Sequence, residues 1–118
     1  MSLRQSGTVQ QLTSNLYYFD VPPGPGFKVS VSAVYGDPDI YIRLDNVIPN
    51  ATNAHYKSIS TLSSDAVTVN SSAPLFQTCL TATNGSFCRA FIAVYGFRTS
   101  QYRCVRVVLA AHVHRIGS

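Results

Sequence analysis

A chain of 118 residues with 46% hydrophobic content fits one domain with an ordinary core, which excludes a disordered chain. The charged fraction is 12%, the five acidic residues are all aspartates, and methionine occurs once, whereas Val, Thr, Ser, Tyr and Phe are plentiful; scarce helix formers and abundant β-branched and aromatic residues point to an all-β fold. The net charge of +4 comes mostly from scattered arginines rather than a basic run, which argues against nucleic acid as a partner, and no apolar run approaches the roughly 18 residues of a membrane-spanning helix.

In chain order, residues 1–3 and 117–118 read as lying outside the domain proper, with a core over about 9–110 and no targeting segment in view. Residues 16–21 read as a strand that ends at Pro22-Pro23-Gly24-Pro25-Gly26, which cannot continue a ladder. Residues 27–33 alternate, with Phe27, Val29, Val31 and Ala33 on one face and Lys28, Ser30 and Ser32 on the other. Gly36-Asp37-Pro38 turns the chain into 39–44, where Ile40, Ile42 and Leu44 oppose Tyr41 and Arg43. A polar loop (46–53) precedes weaker strands near 56–60 and 66–69. Residues 75–81 and 88–95 flank Asn84-Gly85 and read as a hairpin.

The last strand, 102–110, carries Arg106 on the same face as Tyr102, Cys104 and Val108, a conflict resolved either by a bulge or by coverage of both faces. Eight or nine short strands without a helix, by about this count, define an antiparallel β-sandwich of jelly-roll type, with a barrel as the competing architecture.

Several of these segments, in this order, resemble the pre-peptidase C-terminal (PPC) domain: YYFDVPPG at 17–24, FKVSVSAVYGDPDIYI at 27–42 and FIAVYGFRTSQY at 91–102. GDPDIYI is the most specific piece. The resemblance implies a jelly-roll sandwich found beside secreted peptidases, acting as an accessory, binding or maturation module and not as a catalyst. Related sandwiches in bacterial collagenases bind collagen and carry calcium.

Three cysteines are present. Cys79 and Cys88 flank the proposed hairpin loop and would face each other across it, so a disulfide is expected; Cys104 reads as a buried free thiol. Asn50, Asn70 and Asn84 each begin an Asn-x-Ser/Thr sequon in a predicted loop or at a strand end, which adds to the expectation of a secreted or cell-surface glycoprotein.

Catalytic signatures are missing: there is no nucleophile elbow, metalloprotease helix or phosphate-cradling loop. Asp37 and Asp39 are the candidate calcium ligands, because clustered carboxylates with loop carbonyls supply the oxygen shell that calcium needs; the alternative is turn chemistry alone. No cofactor is required. His112 and His114 read as a solvated tail. Seven tyrosines offer material for a contact surface, while the absence of Trp weakens a sugar platform. The expected function is a non-catalytic extracellular accessory module that binds a protein or matrix partner or positions a neighbouring domain. The alternatives are a carbohydrate-binding module with a glycan ligand and a removable maturation segment of a secreted peptidase.

Overall fold

Hydrophobic alternation becomes a two-layer sandwich in the computed structural model, which describes residues 2–24, 26–59 and 64–109. One sheet has the order β1-β8-β3-β6, formed by Ser2–Val9 (β1), Ser100–Leu109 (β8), Gly26–Tyr35 (β3) and Ser64–Asn70 (β6). The other has the order β2-β7-β4-β5, formed by Ser14–Val21 (β2), Cys88–Gly96 (β7), Pro38–Arg43 (β4) and Tyr56–Ser58 (β5). Every strand pairing is antiparallel, and the two sheets stay separate sheets instead of closing into a barrel.

The core lies between the sheets. Phe27, Val29 and Val31 of β3 and Val67 and Val69 of β6 face Ile40 and Ile42 of β4 and Ile92 and Val94 of β7, all buried. Each such side chain contributes about 1.5–3 kcal/mol when fully buried. The β2–β3 connection crosses from one sheet to the other through the proline-glycine turn, where Gly24 and Gly26 take positive φ. Gly26 sits so close to β6 that a Cβ there would lie 2.2 Å from the Val69 carbonyl oxygen.

Near the β1 end of the sandwich, the buried Tyr102 hydroxyl hydrogen-bonds that of Tyr17 and accepts from Asn15 Nδ2 at 2.8 Å. Asn15 Nδ2 also donates to the Thr8 carbonyl at 3.0 Å, so one polar knot ties β1, β2 and β8 together. Gly7 is small because a Cβ there would fall 2.6 Å from the Tyr102 hydroxyl oxygen.

Two features depart from the sequence reading, and a third decides an alternative it left open. The expected strand over 75–81 is an α-helix, α1 (Pro74–Thr81). Proline at the first helical position is pre-set for helical φ, and Phe76, Cys79 and Leu80, at i, i+3 and i+4, form its buried stripe. Phe76 packs on Phe27, with ring centroids 6.0 Å apart. The hairpin is therefore absent. Asn84 and Gly85 do take positive φ, but they end the helix, with Gly85 N–H donating to the Leu80 carbonyl at 2.8 Å.

The Cys79–Cys88 disulfide is present all the same, joining α1 to β7 across a Cα–Cα distance of 5.2 Å. The second departure is β1, which begins at Ser2 and precedes the first strand read from the sequence. The third settles the last strand: register shifts between Gln5 and Gly7 on β1, and between Ser32 and Tyr35 on β3, fall opposite the same stretch of β8, so a bulge resolves the conflict. Cys104 lies on β8, but its expected state as a buried thiol concerns a side chain outside those described; His112 and His114 also lie outside the described residues.

Candidate functional site

The Gly36-Asp37-Pro38 turn is held by its neighbours before any ligand is considered. Gly36 has φ +86°, and a Cβ there would lie 2.2 Å from Ser100 Oγ. Ser100 is fully buried; its Oγ accepts from Asp37 N–H at 2.8 Å and donates to the Arg98 carbonyl at 2.7 Å. The Phe97 N–H closes the other side onto the Asp37 carbonyl at 3.3 Å. Gly36→Ala is expected to cost about 2 kcal/mol, from left-handed strain plus displacement of Ser100, measured by urea unfolding.

This turn delivers Asp37 and Asp39 to a third carboxylate, Asp65 on β6. Asp39 is 5% exposed and Asp65 3% exposed, yet one oxygen of Asp37, one of Asp39 and both of Asp65 are buried without a hydrogen-bond partner. Burial first, then the charges of Asp37 and Asp65, push Asp39 up to about 7. Burial and then Asp37 push Asp65 up to about 6, and a loose contact from the Ser58 hydroxyl only partly offsets them. The buried Asp39 and Asp65 carboxyls, short of donors, and the half-buried Asp37 carboxyl offer only oxygen, the donor type that hard divalent cations take. Among the described residues, no three His, Cys, Asp or Glu side chains are grouped so that they could hold a metal ion between them.

The cluster adjoins the outer face of the second sheet. By strand alternation that face carries Leu16, Tyr18 and Asp20 from β2, Arg89, Phe91, Ala93 and Tyr95 from β7, and Asp39, Tyr41 and Arg43 from β4. Tyr18 stacks on Phe91 at 6.1 Å, and Tyr41 meets Tyr95 edge-on at 6.0 Å. Arg89 lies 4.5 Å over the Tyr18 ring and forks onto both Asp20 oxygens at 2.7 and 3.0 Å.

Beside Tyr41 and Tyr95 opens a cleft of about 310 Å³, completed by Ser14 and by Asn50, Ala51 and Thr52. Its loop wall is built: Asn50 Oδ1 accepts from Thr52 N at 2.9 Å, Thr52 Oγ1 at 2.8 Å and Asn53 N at 3.0 Å. Burial, then the charge of Asp39, raises the Tyr41 phenol, so the cleft and the carboxylate cluster are electrostatically connected.

A larger cleft of about 470 Å³ lies under α1, lined by Leu44, His55, Leu75, Phe87 and Arg89 among others. There Arg89 is engaged with Asp20, and His55 Nδ1 accepts from Leu44 N–H at 3.1 Å. The smaller cleft is the one beside Asp39, whose strand partner Tyr95 lines it.

Asp37 and Asp39 thus share one turn, and Asp65, which no local motif marks, lies near enough for its charge to act on Asp39. The sequon asparagines Asn50, Asn70 and Asn84 are all exposed, at the cleft wall, at the end of β6 and after α1 respectively.

No family model matches the sequence, and neither does any curated protein. Among solved structures, the chain is similar to the pre-peptidase C-terminal domain of a collagenase from Bacillus anthracis, with a TM-score of 0.58 and 12% identity, covering 92% of this chain and 88% of that one. It also matches PliG, a periplasmic inhibitor of g-type lysozyme from Aeromonas hydrophila, with a TM-score of 0.45 and 10% identity over 91% and 82% of the two chains. The chain has the all-β sandwich fold of the PPC domain, in agreement with the resemblance carried by segments 17–24, 27–42 and 91–102; at this identity the similarity speaks to fold.

Proposed function

We propose that this chain is a non-catalytic extracellular module that binds a protein or matrix partner in the Tyr41–Tyr95 cleft, with calcium at Asp37, Asp39 and Asp65 stiffening the cleft's floor. The observation that carries the reading is the set of orphaned, buried carboxylate oxygens directly beside an aromatic-lined cleft. A bound divalent cation would offset most of the cluster's negative charge and fix the start of β4, and Tyr41 follows two residues after Asp39. Tyrosine contributes a large contact area with few rotatable bonds, which suits it to gripping a polypeptide surface.

The fold shared with a domain of a collagenase supports an accessory role, and the Cys79–Cys88 disulfide supports an oxidising compartment. Among the described residues no helix is long and apolar enough to cross a membrane. The exposed sequons support modification at Asn70 and Asn84, whereas a glycan on Asn50 would stand in the cleft wall and compete with the partner; enzymatic deglycosylation of material from a eukaryotic secretory host reads out each modification as a mass change.

The binding test is a panel of immobilised extracellular-matrix proteins, with and without calcium. Retention that needs calcium and falls at least about tenfold in Tyr95→Ala supports the reading. Calcium-independent retention that Tyr95→Ala leaves unchanged contradicts it. Binding to a glycan array in place of the protein panel would favour the carbohydrate-binding alternative, for which Ser14 and Thr52 at the rim supply hydroxyls.

A further inference from the structure

Among the sheet edges, β2 is the one left both apolar and regular. β5 is three residues long, and β1 is interrupted by its register shift between Gln5 and Gly7. On β6 the inward Val67 and Val69 are buried, and the outward side chains are Ala66, Thr68 and Asn70. β2 pairs with β7 through eight consecutive residues without a bulge and, among the described residues, pairs with no strand on its other side. It contains no lysine or proline, the residues that commonly guard such an edge.

Its inward side chains Tyr17 and Phe19 are only half-buried, although their neighbours on β7, Ile92 and Ala90, are completely buried. Leu16 and Tyr18 on the outward face are 51% and 58% exposed.

We propose that this edge is a self-association surface, on which β2 pairs antiparallel with β2 of a second copy about a twofold axis at Tyr17. The unpaired N–H and C=O groups of a strand edge are complementary to another extended backbone. The sequence around Tyr17 is also complementary to itself. In this register Leu16 lies against Tyr18 of the partner subunit, Ser14 against Asp20 of the partner subunit, and Asn15 against Phe19 of the partner subunit. A slip by one residue sets inward side chains against outward ones. Centring the pair on Tyr18 instead sets Asp20 against Leu16. The Tyr17 register joins two four-stranded sheets into one and completes the burial of Tyr17 and Phe19. It also presents two copies of the outer face side by side, so a repetitive partner would be held at two points.

The test is sedimentation equilibrium of the full chain from about 10 µM to about 1 mM, a range suited to a small, concentration-dependent interface. The expected result is a mass rising toward twice the monomer value. The double variant L16K/Y18K should weaken association at least about tenfold, because it opposes ammonium groups twice across the axis at positions more than half exposed in the monomer. Hydrogen exchange on the unaltered chain reads the same contact without mutation: the amides of β2 should slow as concentration rises. A monomer throughout the range, or a dimer in which the β2 amides exchange no more slowly, overturns the proposal. So does a monomer that accepts an added extended peptide along β2, since that assigns the edge to another protein.

Discussion

Stripped of divalent cations, the folded state is expected to lose stability as pH rises from about 4 to about 8, with the unfolding midpoint falling by several degrees. Asp39 titrates at about 7 and Asp65 at about 6 in the fold, against an ordinary 3.8. The folded state therefore holds protons that the unfolded chain has released. Their stabilising effect is complete below about 4 and disappears as pH passes through 6 and then 7.

Asp20 and Asp45 act in the opposite sense. Hydrogen bonds from Arg89 and Arg43 hold them below the usual range, and the stability they confer is lost on the acid side. Calcium should reverse the alkaline loss. It replaces the protons with a charge that does not titrate, so its effect grows with pH. At a hundred times its Kd it contributes about 2.7 kcal/mol, which raises the midpoint of a domain this size by roughly ten degrees. Asp39→Asn should remove the part of the loss that belongs to Asp39, leaving the Asp65 part that ends as pH passes through about 6, and should abolish the calcium response. Thermal scans at pH 5 and pH 8, with EDTA and with calcium, check all three expectations. A midpoint that climbs toward pH 8 in EDTA and ignores calcium contradicts them.

Reduction of Cys79–Cys88, or the double change Cys79→Ser/Cys88→Ser, should cost about 3 kcal/mol and lower the midpoint by roughly ten degrees or more. The bridge closes a short loop, with a sequence separation of 9, and loop closure alone accounts for a loss of this size in the chain-entropy account. Its position concentrates the consequence. The helix α1 has no side-chain cap hydrogen bond, no acidic residue in its first turn and no basic one in its last. Eight residues without a side-chain cap are marginal on their own, so α1 depends on Phe76, Leu80 and the bridge to stay docked. Far-ultraviolet circular dichroism and chemical unfolding, with and without reductant, measure the effect. Equal stability in both states would mean that packing of Phe76 suffices.

The strands with strict alternation were legible because one buried face enforces a period of two: Phe27, Val29 and Val31 on β3, and Ile40 and Ile42 on β4. The helix was misread for a physical reason. Leu75, Phe76, Cys79 and Leu80 satisfy a short buried strand as readily as a helix, and Asn84-Gly85 imitates a hairpin turn. Pro74 was the available signal, a residue suited to the first turn of a helix and awkward inside a ladder. The disulfide was reached through the wrong element, because both a hairpin and a helix end bring residues nine apart close together.

Half of the candidate site lay in one motif, Gly36-Asp37-Pro38-Asp39. Asp65 did not, since its approach depends on β6 lying at the edge of the facing sheet, and sheet order is long-range information. The Tyr41–Tyr95 pair was hidden for the same reason: strand pairing brings together residues from β4 and β7 that are distant in the chain.

Calcium at the carboxylates beside the cleft would be seen in the backbone amide resonances of the isotope-labelled chain through a calcium titration. Saturable shifts centred on Asp37, Asp39 and Asp65, extending to Tyr41 and Tyr95 and lost in Asp39→Asn, are the predicted result. Shifts confined to the exposed Asp20 and Asp45 pairs, or none at millimolar calcium, would contradict it and leave the cluster as part of the turn's architecture.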